Sequence, residues 1–318
     1  MNAKGNANDP GFDQFVDQIL GLRLSLMEVP IPVSANGEDP LIVALKTPGQ
    51  LSANIQQLAR GRIDAISDAQ LTTPEDRALF LALWADPRID LKARYDGAAR
   101  ILLRDTPPDF ADAVAKIGFA RMDSLLLPDP HRANLSHIEQ IDLIDRVGPI
   151  KQQIGLIGFV LAQLPDAALQ PYGPALFALA KDRENRTEPY QLLIRLSGFG
   201  DLGARALVDL LADAKFVDNG DPFYYNFRQN AYSAAMTGLC QMGPKAALVL
   251  PDLLKLVDKG DVTFSSGPNG ELSVVTLIRI GQPAASILGL AVHEEYPMST
   301  LLIDRATQLA NQPDVCQY

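Results

Sequence analysis

Three groups of residues in this chain have types and spacings that chemistry uses. Gly198-Phe-Gly200-Asp-Leu-Gly203 matches the letters G-x-G-x-x-G. Between a strand and a helix, such glycines let backbone amides close on a pyrophosphate, and Asp218 lies near the distance of a ribose-binding carboxylate. Here helical patterns flank the glycines on both sides, which makes them a structural corner. Asp218-Asn-Gly-Asp221 has acidic spacing suited to calcium but lacks the extended ligand set and the terminal Glu. The three histidines are His131, His137 and His293. His131 and His137 stand six apart and do not share a helical face, which argues against a two-histidine metal clamp. There is no G-x-S-x-G, no P-loop and no Cys/His pair. The expectation is therefore no catalytic residue, no cofactor and no metal.

Composition narrows the partners. The chain has 318 residues and is 47% hydrophobic, enough for a large core. Its formal net charge of −10 repels phosphate backbones and anionic lipid, so neither nucleic acid nor membrane is an expected partner. Arg88, Lys92, Arg94, Arg100 and Arg104 form the densest basic stretch and read as solvated helix faces. Met1–Pro10 has no basic-then-apolar signal pattern. The longest apolar stretch, Ile154–Leu164, has 11 residues, short of the ~20 that span a bilayer. Two cysteines, Cys240 and Cys316, make no framework and suit a reducing compartment, so the cytoplasm is expected. Cys240 reads as a small core residue.

The elements that must position any site come from a repeat between Leu192 and Val292. Its hinges are Gly200, Gly243 and Gly281. One, four and seven residues before them stand Phe199, Leu196, Leu193; Met242, Leu239, Met236; and Ile280, Leu277, Val274. After the first two hinges follow Leu207, Leu210, Leu211, Ala214 and Leu250, Leu253, Leu254, Val257. The third copy keeps Leu288, Ala291 and Val292 and lapses at Glu295. Apolar residues at i, i+3, i+4 and i+7 form one helical stripe, and Gly past its end takes φ > 0 without strain. Each copy thus reads as helix, short corner, helix, and stacked neighbours bury the stripes together.

The run Leu239-Cys-Gln-Met-Gly-Pro-Lys-Ala-Ala-Leu-Val-Leu-Pro-Asp-Leu-Leu-Lys-Leu-Val-Asp258 resembles the bacterial HEAT-like repeat of the PBS-lyase type. Gly281-Gln-Pro-Ala-Ala-Ser-Ile-Leu288 repeats its corner. The resemblance implies an all-α fold, an α-α superhelix (HEAT-like solenoid). It points poorly to activity, since such repeats serve scaffolds, inhibitors, lyases and nucleic-acid enzymes alike. His293-Glu294 is similar to the His-Glu pairs of HEAT-like iron hydroxylases, which need several such pairs; this chain has one. Taking Pro165 as an earlier hinge gives spacings of 35, 43 and 38 residues, near the roughly 40–47 of the class.

The expected organisation is an N-terminal segment over 1–50 and a helical repeat domain over 51–318, clearest over 155–292. Within 1–50, Gly11–Met27 has a weak helical stripe, and Glu28–Gln50 is Pro-rich and expected to be extended. Beyond it, helices are expected at Leu51–Ile66, Pro74–Trp84 with Thr73 as N-cap, Asp90–Leu103, Asp109–Ile117, His131–Val147 and Pro174–Asp182, with Leu161–Leu164 ending another. No stretch alternates at period two for long, so no sheet is expected.

Lys215–Phe227 reads as an inter-repeat loop dense in rings, with Phe216, Phe223, Tyr224, Tyr225 and Phe227. Either the rings enter the core as the next helix begins, or they form an interface. The candidate partner-binding residues are Asp218, Asp221, Phe223, Tyr224 and Tyr225. Three functions fit: a protein–protein interaction scaffold or adaptor binding a basic partner, a lyase- or hydroxylase-type enzyme on the same fold, and a nucleic-acid-binding repeat protein. The charge balance disfavours the last, and the first leads.

Overall fold

The computed structural model describes residues 39–89, 100–127, 137–214, 222–262, 268–287, 290, 300–312 and 314–316. Its chain falls into two compact units, Met1–Ala59 and Arg60–Tyr318. Every regular element among the described residues is helical, with no strand. The expected helix within Gly11–Met27 lies outside the described residues.

Part of the segment expected to be extended is a helix, α1 (Pro40–Lys46). Pro40 occupies the first turn, where its missing N–H is no loss, and the Asp39 side chain caps it by accepting from the Leu41 amide at 2.9 Å. Thr47 and Pro48 end it after two turns. Next come α2 (Ala53–Asp68) and α3 (Pro74–Ala85). Thr73 caps α3 as expected, accepting from Asp76 at 3.1 Å. Of the expected helix Asp90–Leu103, residues 90–99 lie outside the described set and 101–103 are not helical. There the Gln70 amide donates to the Arg100 carbonyl and accepts from the Leu102 amide, which satisfies the backbone without a helix.

The larger unit continues with α4 (Pro108–Leu125) and α5 (His137–Ala162). The sequence pattern divides the region of α5 into two helices, but it is one helix with Pro149 inside it. A proline removes one hydrogen bond. The fully buried stripe of Ile154, Ile157 and Leu161 beyond it outweighs that loss. A short helix α6 (Asp166–Leu169) and a 3-10 turn lead to α7 (Gly173–Lys181), the partner expected after Pro165.

The repeat region comprises α8 (Tyr190–Ile194), α9 (Gly200–Ala214), α10 (Pro222–Met242), α11 (Leu250–Asp258), α12 (Pro268–Ile280), α13 (Ala284–Ile287) and α14 (Thr300–Ala310). All three hinge glycines have positive φ: +57° at Gly200, +53° at Gly243 and +124° at Gly281. The local corners differ. A 3-10 helix, Arg195–Phe199, precedes the first hinge, and another, Gly243–Val249, follows the second. Helices α3, α4, α5, α8, α10, α12 and α14 each pack on the next, and α9 packs on α7, α10 and α11.

The stripes are buried as their spacing requires. Leu193, Leu196, Met236, Leu239, Val274 and Leu277 are wholly buried; only Phe199 of the nine pre-hinge positions is half-exposed. After the hinges, Leu207, Leu210, Leu211, Leu253 and Val257 are buried, whereas Leu250 and Leu254 are half-buried. Leu288, Ala291 and Val292 lie outside the described residues.

The two cysteines correct the expectation drawn from them. They are joined as a Cys240–Cys316 disulfide with Cα atoms 5.7 Å apart. Sequence distance hid the pair: the partners are 76 residues apart, and only packing brings 314–316 against α10. Cys240 is buried, as expected of a core residue.

Leu239→Ala is expected to cost about 2–5 kcal/mol by emptying a fully buried site. Gly243→Val is expected to destabilise because a β-branched residue cannot hold φ of +53°, and Gly243→Asn should lose less. Urea melts of the three variants check both statements.

Candidate functional site

A polar constellation lies on the loop 182–189 and the facing end of α9. Asp182 follows α7, and its side chain accepts from the amides of Glu184 and Asn185 at 3.1 and 3.2 Å. That is the usual way an aspartate folds the chain back after a helix. Asn185 is thereby buried and makes a two-way contact with Leu127, donating to its carbonyl and accepting from its amide, both at 2.8 Å. Glu184 pairs with Lys151 of α5 at 2.8 Å, both side chains mostly buried.

Arg186, only 1% exposed, donates to the Ala180 carbonyl at 2.8 Å and to the Asp213 carboxylate at 2.5 Å. Arg183 holds the same carboxylate through two donors. One carboxylate thus bridges two guanidinium forks. Burial pushes the Asp213 carboxyl up, but the hydrogen bonds and charges of Arg183 and Arg186 outweigh it and hold the group below the ordinary aspartate value. Burial in turn lowers the Arg186 guanidinium, with Asp213 opposing.

The pair forms one wall of a cleft of about 250 Å³ between α7 and α9, where Phe177 and Leu210 supply apolar surface and Lys181 and Asp209 further charge. Chemically the cleft presents guanidinium and ammonium groups beside apolar surface, with Asp213 already occupying the fork. No periodic pattern in the sequence marks this site. Its signal was the charge-dense run Lys181-Asp-Arg-Glu-Asn-Arg186 immediately after a helix.

Of the residues singled out from sequence, Asp218 and Asp221 lie outside the described residues. Phe223, Tyr224 and Tyr225 fall in the first turn of α10, which starts at Pro222. The second half of the supposed loop is therefore helix, because Pro is well placed at a helix start. The Gly198–Gly203 run is a corner between a 3-10 helix and an α-helix, as the flanking pattern implies. Its third glycine is a packing necessity: a Cβ on Gly203 would lie 1.9 Å from the Leu196 carbonyl oxygen. His131, His293 and Glu294 lie outside the described residues; His137 opens α5. Among the described residues no group of three or more His, Cys, Asp or Glu could hold a metal ion, and no helix is long and apolar enough to cross a membrane.

In the basic stretch, Arg88 pairs with Asp86 at 2.6 Å and Arg100 pairs with Asp64 and Asp68. Those charges are engaged within the protein; Lys92 and Arg94 lie outside the described residues.

Comparison with protein-family models, with curated proteins and with solved structures finds no match to this chain.

Asp213→Ala strips a buried guanidinium of its carboxylate and is expected to cost about 3 kcal/mol at neutral pH. The folded-state pKa of Asp213 is depressed, so its contribution is present above the unfolded value and lost as pH falls through the folded one. Urea melts should show the gap between the parent and Asp213→Asn narrowing below about pH 4.

Proposed function

We propose that this chain is a protein–protein interaction scaffold or adaptor, built as a HEAT-like α-α superhelix, with a partner that presents a basic surface. The observation that supports the reading is the set of three hinge glycines at positive φ, each ending the same buried stripe on helices that pack one upon the next. Stacked repeats of this kind hold a run of side chains and loops in fixed register, which suits docking of another protein. The kinship with HEAT-like repeats rests on the residues of the corners alone.

Docking is proposed at Asp218, Asp221, Phe223, Tyr224 and Tyr225, on the connection from α9 into α10. Asp218 stands five residues after Asp213 along the chain. Tyrosine supplies contact area at low ordering cost, and a helix start holds it more firmly than a loop would. The cleft residues themselves carry three cations against two carboxylates, so steering of a basic partner rests on Asp218, Asp221 and the net charge of −10. The pairing of Cys240 with Cys316 removes the cysteine argument for a cytoplasmic location.

The double variant Tyr224→Ala/Tyr225→Ala is expected to melt nearly as the parent does and to capture less of the native partner from an extract of the source cells. Partner association by the parent should slow as salt rises. Unfolding of the double variant would place the rings in the core, and undiminished capture would move the docking site elsewhere.

A further inference from the structure

We infer that the Cys240–Cys316 bond is a permanent structural clasp closed during folding, and that the chain therefore matures in an oxidising compartment rather than the cytosol. Its position carries the inference. Cys240 lies in the last turn of α10, three residues before the hinge at Gly243, among the fully buried side chains of the repeat. Cys316 lies in the turn 314–316, beyond α14, and is itself only 3% exposed. The two Cα atoms stand 5.7 Å apart, within the range a disulfide bridges without backbone movement.

Gln241 donates to the Cys316 carbonyl at 3.2 Å, and Arg279 reaches the carbonyls of Ala310 and Gln312 at 3.3 and 3.2 Å. Asp314 is exposed and Val315 half-buried, so the turn brings little apolar surface of its own. A bond across 76 residues restricts the unfolded chain strongly. Burial of both sulfurs also separates this bond from a switch, since a regulatory disulfide must be open to attacking thiolates.

Closure is an exchange with a disulfide carrier. One cysteine thiolate attacks the carrier disulfide and expels one carrier thiolate, leaving a mixed disulfide. The second cysteine thiolate attacks the protein sulfur of that bond and expels the other. Two electrons pass to the carrier, and its two expelled thiolates take up two protons, equal to the two the cysteines gave up, so that it leaves as a dithiol.

The test uses the full chain exported to an oxidising compartment. Unfolded in denaturant with a thiol-alkylating reagent and no reductant, it is expected to take up no label; after reduction it should take up one at each of Cys240 and Cys316. Label on both without reduction would overturn the inference. In the folded chain, dithiothreitol should open the bond at least about tenfold more slowly than in the unfolded chain; equal rates would make it a switch and overturn the clasp. The oxidised chain should melt on the order of 5–10 °C above the reduced chain. Cys316→Ser should melt with the reduced chain. An oxidised chain that melts no higher than the reduced one would refute a clasp without relying on any variant.

Discussion

Every helix leaves its last carbonyls without a partner inside the helix, and a structure made of many short helices meets that constraint repeatedly. This chain answers it in two ways. Glycine at positive φ turns the chain away at Gly200, Gly243 and Gly281. Arginine then reaches across to the open carbonyls of a neighbour. Arg121 of α4 donates to the Trp84 carbonyl at the end of α3, at 3.2 Å. Arg195 donates to the Ala162 carbonyl at the end of α5, at 2.7 Å, while pairing with Asp166. Arg279 of α12 donates to the Cys240 carbonyl of α10, at 3.0 Å. A guanidinium suits the task because it stays charged when half-buried and meets the negative end of a helix dipole. Hydroxyls add to the set, with Thr276 donating to the Met236 carbonyl and Tyr232 paired with Ser273 across α10 and α12. The apolar stripes supply most of the burial, and these polar contacts fix which turn of one helix faces which turn of the next.

The loop 182–189 shows the same logic carried to higher charge density. A buried guanidinium is costly unless its donors are met, and Arg186 meets a carbonyl and a carboxylate that Arg183 also holds. Close backbone approach makes the arrangement possible. A Cβ on Gly158 of α5 would lie 2.3 Å from Pro189, so only glycine lets the loop settle there. The loop thereby ties α4, α5, α7 and α9 together at the point where the repeat region begins.

At the other end, the third copy of the repeat lapses at Glu295. Helix α14 packs on α12 and α13, Arg279 reaches its last carbonyls, and the disulfide fastens the turn beyond it to α10.

How much was legible follows from how far each signal reaches along the chain. The all-helical class, the Thr73 cap, the helix after Pro165 and the three glycine corners were all readable. Each depends on residues within about two turns of one another, where spacing alone dictates geometry. The glycine triplet at 198–203 could be recognised as a corner for the same reason. The fusion of two expected helices through Pro149, the helix at Pro40–Lys46 and the non-helical backbone at 101–103 went unread. In each, burial or a side-chain hydrogen bond overrode a local preference. The arginine contacts at helix ends, the Arg183–Asp213–Arg186 bridge and the Cys240–Cys316 bond join residues 27 to 76 positions apart. No periodicity records such distances. By itself the sequence determined the all-helical class and the bends at Gly200, Gly243 and Gly281. Only the packing of those helices decided which charges, carbonyls and sulfurs meet, because those partners are chosen by proximity in space.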